Sequence, residues 1–174
     1  GIIMAISAPS AHNIVQCVKF NLPRTSVSVP SYNNAQANYR QWGSSSFSIT
    51  PKFANSHIRI VQHMVVSGVS SHFYLSWRRG GTSGQFLHND TGGDGSSSSD
   101  GLFANHNGTT SNYWSSVVVW EDTNPSYSLG NSVTYVPYIA MWSGTTLNLM
   151  HYFNNGNGNV AQGAHGYLEE IAYT

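Results

Sequence analysis

The chain of 174 residues is long enough for one domain with its own hydrophobic core. Its formal net charge is zero, and only 8% of its residues are charged, against about a quarter in an ordinary soluble domain. These values exclude the strong field that attracts nucleic acids or anionic membranes, and they leave few titratable groups for catalysis. Ser, Thr, Asn and Gly replace the charges, and 13% of residues are aromatic, which favours a rigid scaffold that meets other neutral surfaces.

Runs rich in β-branched and aromatic residues, separated by Gly, Asn, Ser and Pro clusters, predict an all-β fold with antiparallel strands. We expect residues 1–12 to form an N-terminal arm or the end of an upstream stalk, and residues 13–174 to form a single β-sandwich domain. The predicted loops cover 21–44, 89–101 and 154–164. The predicted strands cover 13–20, 45–50, 57–67, 72–79, 85–88, 115–121, 131–142, 146–153 and 166–173.

The predicted strand 57–67 carries apolar residues on both faces. Val61 and Val65 lie on one face together with His63, and the opposite face is also mainly apolar. A strand of this kind can be covered by a second sheet on one side and by a neighbouring subunit on the other. We therefore predict a subunit interface that includes Val61, His63 and Val65.

Pro137 interrupts the predicted strand 131–142. Proline has no backbone N–H, so it cannot donate a hydrogen bond to a neighbouring strand. We therefore expect this strand to lie at the edge of a sheet or to bulge at Pro137.

The acidic residues do not form a catalytic motif. Glu121 with Asp122, and Glu169 with Glu170, are sequence neighbours, so the members of each pair point to opposite faces of a strand. A two-carboxylate glycosidase site would need residues from separate strands. The aspartates of loop 89–101 lack calcium-loop spacing, and the eight histidines show no zinc-binding spacing. We expect structural or solvated carboxylates, no metal, no cofactor and no enzymatic activity.

Tyr113 and Trp114 are the candidate ligand-binding aromatic residues. They follow Asn112 in the polar segment TTSNYWSS, which the sequence predicts to be a loop. An exposed ring flanked by amide and hydroxyl groups is typical of a carbohydrate platform, because the C–H face of a sugar stacks on the ring. Two interpretations remain open: a glycan site formed by Asn112, Tyr113 and Trp114, or rings that close one end of the sandwich.

Several short motifs occur along the chain in a distinctive order. They are NIVQCV at 13–18, SITPKFANSHIRI at 48–60, RGGT at 79–82, the segment from Asp122 to VTY at 133–135, and EEIA at 169–172. This order and spacing resembles the C-terminal β-domains of tail-fibre and related virion proteins of tailed bacteriophages, many of them from marine phages. His57 stands where the family usually has Lys, Glu169 stands where it usually has Met, and the insert 89–114 is individual to this chain.

The resemblance implies an antiparallel β-sandwich of jelly-roll type in a homotrimer at the tip of a fibre or spike. It implies a virion structural protein, on the tail fibre or the capsid surface, without catalytic residues. Its partners would be other virion proteins and a glycan or protein of the host surface, which the trimer would contact multivalently. Binding to nucleic acid and insertion into a membrane are not expected. The main alternative is a capsid decoration or capsid-fibre protein that binds mainly other virion proteins. A polysaccharide depolymerase and a cellular lectin are less favoured.

Overall fold

A computed structural model describes residues 12–31, 36–67, 72–87, 103–106, 113–141, 145–149 and 165–173. These ranges contain twelve β-strands, one 3-10 turn at Gln36–Asn38, and no helix long and apolar enough to cross a membrane. In chain order the strands are β1 (His12–Asn21), β2 (Thr25–Val29), β3 (Arg40–Gln41), β4 (Phe47–Ile49), β5 (His57–Ser67), β6 (His72–Arg79), β7 (Gln85–Phe86), β8 (Phe103–His106), β9 (Tyr113–Asp122), β10 (Val133–Met141), β11 (Thr145–Leu149) and β12 (His165–Tyr173).

The strands form two six-stranded sheets. The first sheet has the order β1-β12-β5-β11-β2, and β9 also pairs with β5. The second has the order β3-β10-β6-β7, with β4 also paired to β10 and β8 to β6. Every pair of these strands is antiparallel. The prediction of an all-β, antiparallel fold is therefore confirmed.

The two sheets share one hydrophobic core. Ile60 and Leu168 of the first sheet belong to the same buried cluster as Trp77 and Ile139 of the second, and each is at most 1% exposed. The rings of Phe20 and Trp77 meet edge to face across the sheets, with their centroids 5.7 Å apart. Facing sheets around a common core are consistent with a β-sandwich, in which the inward residues of each strand alternate with outward ones.

The prediction that Pro137 lies at a sheet edge or a bulge is wrong. β10 is a central strand, and β6 pairs with it in continuous register, with Pro137 opposite Trp77. On the other side β3 and β4 share the pairing, and neither reaches position 137. The Pro137 carbonyl accepts a hydrogen bond there from the Trp42 N–H at 2.9 Å. The N–H and the C=O of one strand residue point to the same side of the strand. The N–H that Pro137 lacks would therefore point into the gap between β3 and β4.

The predicted loop 21–44 contains regular structure. β2 lies inside it and pairs with β11, and β3 pairs with β10. The same segment supplies Trp42, which is fully buried and donates its indole N–H to the Pro23 carbonyl at 3.1 Å. Composition misleads here because the exposed face of β2 is built from serines. The predicted loops 89–101 and 154–164 lie outside the described residues.

Candidate functional site

Three residues from the motifs that carry the family resemblance meet at the Asp122 cluster, formed by Asp122, Arg79 and Tyr135. The Asp122 carboxylate is 2% exposed and accepts hydrogen bonds from Arg79 Nη1 at 2.6 Å and from the Tyr135 hydroxyl at 2.7 Å. The backbone N–H of Asn124 donates to it at 3.2 Å. Because Asp122 ends a strand of the first sheet while Arg79 and Tyr135 belong to the second, this cluster joins the two sheets.

The protonation of the Asp122 cluster suits a structural role. Burial raises the pKa of Tyr135 well above its usual value, and the negative charge of Asp122 raises it further. The phenol therefore stays protonated and donates to the carboxylate. Arg79 is an ion-pair partner of the same carboxylate, so the buried charge is compensated. Arg79 and Tyr135 thus hold the Asp122 carboxylate in place, and the cluster contains no free base or nucleophile.

Glu170 forms a second buried network. Its side chain is fully buried, and its carboxylate accepts hydrogen bonds from Lys52 N–H at 2.9 Å, Phe53 N–H at 3.0 Å and the Ser56 hydroxyl at 2.8 Å. Glu170 thus satisfies the donors of the turn between β4 and β5. The turn residues belong to the SITPKFANS motif, and Glu170 belongs to the EEIA motif. The two motifs therefore meet in one hydrogen-bonded contact.

The neighbouring carboxylates divide as the sequence predicts. Asp122 and Glu170 face the interior, whereas Glu121 and Glu169 lie partly exposed on the outer face of the first sheet. Glu169 Oε2 accepts a hydrogen bond from Arg59 Nε at 2.7 Å. The prediction that the members of each pair point to opposite faces is therefore confirmed.

An open cleft of about 870 Å³ lies beside the Asp122 cluster. Its walls come from the turn that follows β6 and from the segment between β9 and β10. Among the described lining residues, Arg79 is the only one with a charged side chain. The lining consists of Arg79, Gly80, Gly81, Gln85, Pro125, Ser126, Tyr127, Ser128, Asn131, Ser132, Val133 and Thr134. The cleft is therefore polar and nearly uncharged, and it was not predicted from the sequence.

A further group of polar side chains lies on the outer face of the first sheet. Glu121 Oε1 lies 2.7 Å from His57 Nδ1 and accepts a hydrogen bond from the Tyr173 hydroxyl at 2.5 Å. The Tyr173 hydrogen bond has the largest effect and lowers the pKa of Glu121. Partial burial comes next and raises this pKa, while His57 and then Arg59 lower it further. Partial burial, followed by the bond to Glu121, raises the pKa of Tyr173 to about 12.

We expect the Tyr173→Phe substitution to raise the pKa of Glu121, because it removes the largest stabilising contact of the carboxylate. A lowered folded-state pKa stabilises the fold above the ordinary value of 4.5 and loses this effect as the pH falls through the folded-state value. Side-chain ¹³C NMR titration measures the shift. Tyr167→Phe, on the same face of β12, is the matched control and should leave Glu121 unchanged. An unchanged pKa of Glu121 in the Tyr173→Phe variant would contradict the role assigned to the Tyr173 hydroxyl.

The predicted glycan residues are only partly placed. β9 begins at Tyr113, and Tyr113 and Trp114 pair with Ser67 and Val66 of β5, so both belong to a strand and not to the predicted loop. The strand extends this far because β5 offers a partner along its whole length. Asn112 lies outside the described residues. The role of Asn112, Tyr113 and Trp114 in glycan binding stays a prediction.

The predicted subunit-interface residues separate into two groups. Val61 and His63 are partly exposed on the outer face of the first sheet, whereas Val65 is 1% exposed and packs in the core cluster. The chain itself therefore covers Val65, and the role of Val61, His63 and Val65 in a subunit interface stays a prediction. Val119 pairs with Val61, Val117 pairs with His63, and these two valines are 56% and 60% exposed. We call Val61, Val117 and Val119 the valine patch.

No group of three His, Cys, Asp or Glu side chains that could hold a metal ion occurs in the part of the chain that the structure describes. The sequence matches no protein-family model, and no curated protein is significantly similar to it. The resemblance to phage fibre domains therefore rests on the order of the motifs.

Proposed function

We propose that the chain is a virion structural protein of a tailed bacteriophage, of the tail-fibre or receptor-binding class, with a jelly-roll fold and no enzymatic activity. One observation carries this proposal. The motif residues Arg79, Asp122, Tyr135 and Glu170 build the two buried networks that fix the sheets and a turn. Because the motif residues hold the protein together internally, the resemblance supports a shared scaffold. Such a scaffold can keep its internal contacts while its surface loops vary.

The low charge of the chain supports an attachment role. Catalysis by acids and bases needs groups that can exchange protons with a substrate. The carboxylates of Asp122 and Glu170 are instead held by fixed internal donors. A neutral surface rich in hydroxyl and amide groups is suited to contact with host glycans, and we assign part of this contact to Asn112, Tyr113 and Trp114.

The proposed homotrimer would use the outer face of the first sheet. The valine patch lies on that face, and two charged groups on the same face have partners: Arg59 binds Glu169, and His57 contacts Glu121. Lys19 of β1 is exposed on this face as well. Three copies of a weak glycan site then bind a multivalent cell surface through their high effective concentration.

Immunogold electron microscopy of the phage that encodes the chain tests its location. We expect antibodies against the isolated chain to label purified virions at the fibre or spike tips. Label spread over the capsid would instead support the decoration or capsid-fibre alternative. Particles that carry no label, although the chain is present in infected cells, would overturn the virion assignment.

Binding of the fluorescently labelled trimer to host cells tests the attachment site. Trp114→Ala should weaken binding roughly tenfold or more, because a loss of about 1 kcal/mol recurs at every subunit. Phe53→Ala is the matched control, since Phe53 is 51% exposed and belongs to the turn between β4 and β5, not to β9. Light scattering confirms that each variant remains a trimer. Equal binding by both variants would remove Trp114 from the site.

A further inference from the structure

We propose that the cleft beside the Asp122 cluster binds an uncharged saccharide unit. This proposal rests on the glycan-attachment function proposed above and names both a separate binding site and its ligand class. The residues that would contact the sugar are Gly80, Gly81, Ser126, Tyr127, Ser128 and Asn131.

The backbone around the cleft keeps it open. Gly80 and Gly81 have φ values of 89° and 85°, and Gly130 has 89°, all in the left-handed region that favours glycine. A Cβ atom built on Gly81 or Gly130 would meet no atom within 4 Å. Ser126 adopts a φ of 47°, which is uncommon for a residue with a side chain and is often found at functional sites. These turns form part of the concave surface of the cleft.

The chemistry of the lining selects the ligand class. The serine hydroxyls and the Asn131 amide can both donate and accept hydrogen bonds, as the hydroxyls of a sugar do. The Arg79 guanidinium binds the Asp122 carboxylate and donates to the Asn124 carbonyl, with both distances at 2.6 Å. Because its charge is compensated by Asp122, it offers little to an anion. A neutral sugar therefore fits this lining better than a uronic or sialic acid.

The cleft is also preorganised. The Gly80 N–H donates to the Thr134 carbonyl at 2.8 Å, and the Asn131 N–H donates to the Ser128 carbonyl at 3.0 Å. The Tyr127 hydroxyl accepts from the Ser56 N–H at 2.8 Å, and the side chain packs against the core, so this lining residue is fixed in position. Walls that are already held in place lose little conformational entropy when a ligand binds.

Amide NMR titration of the intact protein with defined sugars tests the proposal. The probes are methyl α-glucoside, methyl β-galactoside and N-acetylglucosamine, with glucuronate and N-acetylneuraminate as acidic comparisons. We expect at least one neutral probe to shift the amides of Gly80, Gly81 and Gly130 with a Kd on the order of 1 mM. No shift with any neutral probe, or equal affinity for the acidic sugars, would overturn the proposal.

Two variants locate the binding within the cleft. Ser128→Trp should fill it and abolish the shifts, and Asn131→Ala should raise the Kd severalfold while the backbone bond of the turn remains. Ser44→Trp is the matched control, because Ser44 is an exposed turn residue that does not line the cleft. Unchanged binding by Ser128→Trp would overturn the site. The immunogold result is independent of this titration, so failure of the cleft and failure of the virion assignment can be told apart.

Discussion

The Glu170→Ala substitution should lower the free energy of unfolding by about 3 kcal/mol or more. It removes the acceptor of Lys52 N–H, Phe53 N–H and the Ser56 hydroxyl, and Glu170 is fully buried. Hydrogen bonds to a charged group contribute about 1.5–3 kcal/mol each, and a buried donor left without an acceptor adds a desolvation cost. Urea unfolding at a fixed protein concentration measures the change, because stability in an oligomer depends on concentration.

The adjacent Glu169 provides the control for this experiment. Its carboxylate pairs with Arg59 on the outer face of the sheet, where the Arg59 side chain is 34% exposed. Because solvent screens such pairs, Glu169→Gln should cost about 1 kcal/mol or less. Glu170→Gln keeps the size of the side chain but only one good acceptor, so its effect should lie between those of the other two variants. Similar losses for Glu169→Gln and Glu170→Ala would contradict the role assigned to Glu170.

The second large effect is expected at the junction of the two sheets. Asp122→Ala should cost about 3–5 kcal/mol, because it removes the carboxylate that compensates the mostly buried Arg79 charge. The Arg79 side chain is 13% exposed, and Tyr135 is fully buried. Tyr135→Phe should cost only about 1 kcal/mol, since it removes one hydroxyl and leaves the ion pair in place. Denaturant unfolding of each variant gives both values.

A double substitution separates the buried charge from simple loss of packing. If the uncompensated charge of the guanidinium causes the destabilisation, Asp122→Ala with Arg79→Met should be more stable than Asp122→Ala alone. The two substitutions would then be non-additive, with a coupling of at least about 1 kcal/mol. If the losses in free energy of unfolding are strictly additive, Asp122 and Arg79 act independently. That result would contradict the proposed coupling of the two sheets by this ion pair.

The strands that alternate clearly could be predicted from the sequence. β5 and β6 have the predicted bounds, and the alternation along β12 places Glu169 and Glu170 on opposite faces. Such features are local, because side-chain direction in a strand depends only on the parity of the position. By contrast, β2 was missed because its outward serines gave it the composition of a loop.

The partners of each strand could not be predicted in the same way. Pro137 is tolerated in a central strand because the neighbouring position falls between β3 and β4, and local sequence does not encode that gap. Val65 follows the same parity as Val61, yet it is buried in the core cluster. The polar cleft was missed because it combines the turn after β6 with residues more than forty positions away.

The sequence by itself determined the all-β class, the direction of the neighbouring carboxylates and the neutral character of the surface, because composition and alternation act locally. Tertiary structure decided which of those carboxylates are enclosed and by what. Asp122 meets Arg79 and Tyr135 only when the two sheets face each other, and Glu170 meets the Lys52 turn only when β12 lies beneath it. Contacts between residues so far apart in the chain depend on strand order and sheet packing, which no local pattern specifies.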